Sequence, residues 1–161
     1  MASNGAILPR CLRSFACVVT LAASTLMLTA HQTTTYMNYS VYVYFGDLTP
    51  YWCFVFANFM VGVYSALLIC LPAKSQLWRL IVASDAVLVV ILSSSCSAAV
   101  AIGLMEKNGN AHAGWLPIYH QVPSYCLKVF CAIGCGYVGT LIYMLLQLLS
   151  IQAALNSILV E

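Results

Sequence analysis

Four apolar runs, at residues 9–30, 51–71, 78–103 and 126–149, each exceed the length needed to cross a bilayer's hydrocarbon layer, about twenty helical residues at roughly 1.5 Å each. Nothing else in the chain limits its fold as severely. A water-soluble helix of such length presents a polar face, but the third run places serine and alanine, Ser93 to Ala99, where charge would stand. Sixty-three per cent of residues are apolar and six per cent charged, against about a quarter charged in a soluble domain. The expectation is an all-α membrane protein, a four-transmembrane-helix antiparallel bundle with two extracellular loops. The net charge of +2 is spread along the chain and offers nucleic acid no basic stripe.

The remaining segments divide accordingly. Residues 1–8 form a short, disordered cytoplasmic N-terminus, 31–50 the first outer loop, 72–77 a cytoplasmic hairpin turn, 104–125 the second outer loop and 150–161 a cytoplasmic tail. Arg10 and Arg13 followed by an apolar stretch also describe a secretory signal peptide. That stretch is long for a signal core, and Leu28-Thr29-Ala30 is a poor cleavage site, so it reads as a retained span. Four crossings return both termini to one side. Arg10, Arg13, Lys74 and Arg79 fall on that side and Lys107 and Lys128 on the other, so the termini are expected in the cytoplasm. The sequon Asn38-Tyr39-Ser40 agrees, since a glycosylation site works only in a lumen-facing loop. The first loop also alternates Tyr39, Val41, Val43 and Phe45 with Ser40, Tyr42 and Tyr44, the period of an extended strand.

Asp85 is the one acid inside an apolar run, and an intramembrane acid normally faces a partner. Arg13 lies on the first run at a depth differing by about one turn, about 5 Å, within an arginine's reach. Three readings are open: the two form an ion pair in the bundle interior, each snorkels separately to the cytoplasmic surface, or Asp85 is a proton or cation site. The pair is the leading one.

Small residues recur at every fourth position: Ala16, Thr20 and Ser24; Asn58, Gly62 and Ala66; Ala132, Gly136 and Thr140. Helices in lipid associate by close backbone approach at such spacing. Gly62, Ala66, Ala132 and Gly136 are therefore expected at helix contacts, within the bundle or between copies.

No reactive constellation emerges. The eight cysteines contain no pair flanking two residues, the arrangement of thiol redox sites. Cys131 and Cys135 are a turn apart, which suits packing, and Cys126 stands alone. His31, His112 and His120 lack metal-ligand spacing. An enzyme is not expected, nor a cofactor.

Several stretches resemble the Casparian strip membrane domain protein-like (CASP-like) proteins of land plants. The first run is similar to that family's first span, with Arg13 at its basic position. Residues 50–65 resemble its second-span motif through Tyr51, Ala57, Asn58, Tyr64 and Ser65, and Asp85 falls on its third-span acid. Residues 97–119 resemble the segment ending in its second outer loop, through Gly109, Asn110, His112, Ala113 and Trp115. The resemblance implies a plasma-membrane tetraspan related to the MARVEL group, with cytoplasmic termini and an Arg13–Asp85 intramembrane pair. It also implies homodimers, heterodimers or larger oligomers with related tetraspans, and a membrane scaffold that guides local modification of the cell wall by its enzymes. Of the family's two second-loop cysteines, the first place is Tyr119 here and only Cys126 stands. The first loop lacks the signature of the barrier-building members, so that role is not carried over.

Two functions of different class follow. One is a non-enzymatic, laterally oligomerising scaffold of the plasma membrane. The alternative is a small oligomeric channel or transporter subunit using Asp85.

Overall fold

The computed structural model contains four long helices, α1 (Asn4–Leu28), α2 (Thr49–Cys70), α3 (Trp78–Asn108) and α4 (Pro123–Leu159), with a hairpin of β1 (His31–Tyr36) and β2 (Tyr39–Tyr44) between the first two. All four helices are long and apolar enough to cross a membrane. The structure describes residues 4–36, 38–70 and 78–159. The turn expected at 72–77 lies outside them.

Packing runs in a ring: α1 against α2 and α4, and α3 against α2 and α4. α1 and α3 thus occupy opposite corners, as do α2 and α4. The helices alternate in direction, so the hairpin and the 109–122 loop share one end of the bundle. The core has two tiers. Near the loops it is built from Met27, Phe45, Tyr51, Phe54 and Val129, among others, and near the other end from Ala16, Val61, Leu92 and Leu146. Phe15, Val18, Phe59, Leu67, Val90 and Leu141 face outward. A bundle apolar on both sides suits lipid, where each helix satisfies its own backbone.

Glycine and small residues set the spacing. A Cβ on Gly62 would stand 2.7 Å from the Leu21 side chain, and one on Gly136 would stand 2.7 Å from the Phe54 ring. Ala132 is buried as well. Ala66 is exposed on the outside of the bundle, and Ser65 takes the inward place. Three residues on from Gly62 is 300° of helix and four is 400°, so the two positions flank the contact line on opposite sides.

Helix limits also differ from the expected spans. α1 begins at Asn4, within the segment expected to be disordered, and α4 continues through most of the expected tail. α3 does not break at Glu106; it continues to Asn108 and stops at Gly109, whose φ of 69° is the first backbone there that ends a helix. Glu106 therefore belongs to a helix rather than a loop. The Tyr-rich stretch of the first loop is a paired strand, in a register running from His31↔Tyr44 to Tyr36↔Tyr39. Asn38 holds φ 67° beside the hairpin turn, a conformation asparagine tolerates.

Candidate functional site: two polar locks in an apolar bundle

Arg13 and Asp85 meet in the bundle interior. Arg13 Nη1 donates to Asp85 Oδ1 at 3.2 Å, and Nη2 donates to Oδ2. Both carboxylate oxygens are thus engaged by one guanidinium fork, the geometry that holds an ion pair in fixed orientation. Asp85 is fully buried and the Arg13 side chain is 12% exposed. The two sit on opposite corners of the ring. Neighbouring axes 8–10 Å apart put the diagonal at about 11–14 Å, a span that the long arginine side chain makes possible.

The other diagonal is tied at the same level. Tyr143 on α4 donates to the Val61 carbonyl on α2 at 3.3 Å, and its hydroxyl is hydrogen-bonded to that of Ser65. Tyr143 and Tyr64 lie close enough to interact with the Arg13–Asp85 pair, and Tyr64 Oη also donates to the Ile81 carbonyl at 3.4 Å. The bundle is cross-braced here.

A second lock stands near the loops. Tyr51 Oη donates to Glu106 Oε2 at 2.6 Å and Tyr125 Oη to Glu106 Oε1 at 3.0 Å, tying α2 and α4 to α3. Both tyrosines are buried. Of the two aromatics that open α2, Tyr51 turns inward and Trp52 is exposed. Nearby bonds close the same end: Tyr125 N donates to Gln32 Oε1 at 3.0 Å, and Lys128 Nζ to the Thr29 carbonyl at 3.0 Å.

The two acids share a face of α3. Asp85, Leu92, Ala99 and Glu106 follow at intervals of seven, the repeat that keeps one stripe toward the partners; the first three are fully buried. That spacing was the signal available in the sequence for Glu106.

The other residues singled out above fall in different places. Asn58 is buried; its Nδ2 donates to the Phe54 carbonyl at 2.9 Å, while Oδ1 has no hydrogen-bond partner among the described residues. Gly109, Asn110 and Trp115 build a small turn: the Asn110 and Trp115 backbones bond each other both ways at 2.8 and 2.9 Å. Asn110 Oδ1 also accepts from Ala113 N. A Cβ on Gly109 would strike the Trp115 carbonyl at 2.7 Å. Trp115 is half-exposed, and Cys126 is buried as a free thiol. Asn38 is exposed, away from both locks. Among the described residues, no group of three or more His, Cys, Asp or Glu is placed to hold a metal ion.

Comparison with known proteins gives a consistent picture. A family model described as the Casparian strip membrane protein domain matches residues 2–142. The chain is similar to CASP-like protein 1C2 of Vitis vinifera, 43% identical over 140 residues that cover 87% of each chain. It is similar to CASP-like protein 1C1 of Arabidopsis thaliana, 39% identical over 141 residues, 88% of this chain and 86% of the relative. A CASP-like protein 1C3 of Populus trichocarpa is 40% identical over 148 residues, 92% of this chain and 86% of the relative. No solved structure matches.

Proposed function

The chain belongs to the Casparian strip membrane protein domain family, and from that premise we propose that it is a non-enzymatic organiser of the plasma membrane. Copies pack side by side, with one another and with related tetraspans, and hold a patch of membrane to which enzymes that modify the cell wall are recruited. The observation that carries this reading is the state of Asp85. Both its oxygens are engaged by Arg13, so the buried acid serves to hold helices together. The same engagement weighs against the channel reading, because the guanidinium neutralises the carboxylate and would repel a cation brought up to it.

In this reading both termini are cytoplasmic and the hairpin and second loop face outward. Asn38 then carries an N-linked glycan at the hairpin turn. Protein expressed in plant cells is expected to shift on gels after glycosidase treatment, and Asn38→Gln to remove the shift. A native chain with no shift would contradict the glycan.

The scaffold itself is tested by mobility. Tagged protein in plant plasma membrane is expected to recover slowly after photobleaching, and to run as higher-order species in mild detergent. A freely diffusing monomer would overturn the proposal. Currents from reconstituted protein that disappear with Asp85→Asn would put the channel in its place.

A further inference from the structure

The outer hydrogen-bonding edge of β2 is open, whereas β1 packs against α4. β2 pairs with β1 on one side, and among the described residues no strand lies on the other. In an antiparallel pair, alternate residues turn their N–H and C=O groups away from the partner. Two bonds fix which set faces out. Phe45 N donates to the Ala30 carbonyl, toward the β1 side, while Tyr44 N donates to Asp47 Oδ2 at 3.2 Å. Tyr44 therefore belongs to the outward set, and by the strand's period of two, so do Ser40 and Tyr42. Asp47 caps the edge at Tyr44, and the outward groups of Ser40 and Tyr42 have no partner among the described residues.

Open edges invite pairing, and proteins blunt them with charge, proline or bulges. The stretch Tyr39–Tyr44 has no charged residue, proline or glycine. Val41 and Tyr42 are 42% and 57% exposed. We propose that this outer edge pairs antiparallel with the same edge of a second copy, joining two hairpins into one four-stranded sheet. The hydrogen-bond complementarity is built in: two identical strands run antiparallel set each free N–H against a free C=O. The membrane favours the same occupant. Four spans hold every copy at one depth, so the hairpins of lateral neighbours stand at one height. The inference rests on the lateral assembly proposed above and names one contact within it.

Cysteine cross-linking tests the contact directly. Residues 31–48 contain no cysteine, so Val41→Cys and Val43→Cys each add one thiol to the strand. Directly opposed residues of an antiparallel pair have Cα atoms about 4.5–5.5 Å apart, within disulfide reach. Full-length protein in native membranes is oxidised mildly, with the two variants expressed singly and together. That set covers registers centred on Val41, Tyr42 and Val43. At least one combination is expected to give several-fold more disulfide-linked dimer than Leu116→Cys, a collision control 72% exposed in the other loop. Adding Tyr42→Pro is expected to return that signal to the control level. Proline is tolerated on an edge facing solvent but removes the outward N–H. The proposal is overturned if no combination exceeds the control, or if the proline leaves the dimer unchanged. Should cross-links fail while slow diffusion and higher-order species persist, this contact falls and the scaffold reading stands. A freely diffusing native chain removes the scaffold reading itself.

Discussion

Asp85→Ala is expected to leave a chain that still inserts but no longer packs, with a sharply lowered melting point in mild detergent and loss of the higher-order species. The cause is the partner left behind. Arg13 is a permanent cation whose charge-assisted bonds in the bundle interior go to Asp85. Deleting one member of a buried ion pair typically costs about 3–5 kcal/mol, because the other charge remains uncompensated. Against a whole-domain stability of about 5–15 kcal/mol, that is a large share. The damage also reaches across the ring, since the pair ties α1 to α3 at the level where Tyr143 ties α4 to α2. Arg13→Ala is expected to be harmful as well, since it leaves the fully buried Asp85 without its cation. Size-exclusion of heated, detergent-solubilised protein reads both variants. An Asp85→Ala chain that melts with the native protein would contradict the account.

Glu106→Ala is expected to have the second-largest effect, at the other end of the bundle. It strips two buried phenols of their acceptor, Tyr51 at 2.6 Å and Tyr125 at 3.0 Å. A buried donor left without a partner costs about 1–3 kcal/mol, and the two losses fall on different helices. Glu106→Gln keeps one oxygen as an acceptor and is expected to recover part of the loss. The paired substitution Tyr51→Phe with Tyr125→Phe, which leaves the carboxylate without either donor, is expected to be at least as harmful as Glu106→Ala. The same heated size-exclusion series ranks the variants. Native-like melting of Glu106→Ala would show that the acid is only a solvated helix end.

The contrast between these two acids explains how far the sequence could be read. Asp85 was legible because it is alone: one acid in an apolar run, with one arginine at matching depth on another run. Glu106 was hidden by its surroundings. It sits beside Lys107 and three residues before Gly109, so composition assigns it to a loop, and only the seven-residue spacing from Asp85 through Leu92 and Ala99 links it to the packed face. Tyr51, Tyr125 and Tyr143 were hidden for another reason. A tyrosine at a membrane boundary or within a span looks the same whether its hydroxyl reaches water or a buried acceptor, and burial is decided by helices far away in sequence. The hairpin was half legible. Alternation marked the strand of Tyr39 to Tyr44, but its partner, His31–Tyr36, carries three threonines in a row and no alternation. Ala66 shows the resolution of a spacing argument: a four-residue repeat names a stripe, and neighbours set its edge.

The most direct test of the buried brace is to reverse it, combining Arg13→Asp with Asp85→Arg in one full-length chain. The account predicts that each single change lowers the melting point sharply, and that the double variant melts well above both and regains its higher-order species. A double variant no more stable than either single would contradict the claim that these two charges hold the bundle together across its diagonal.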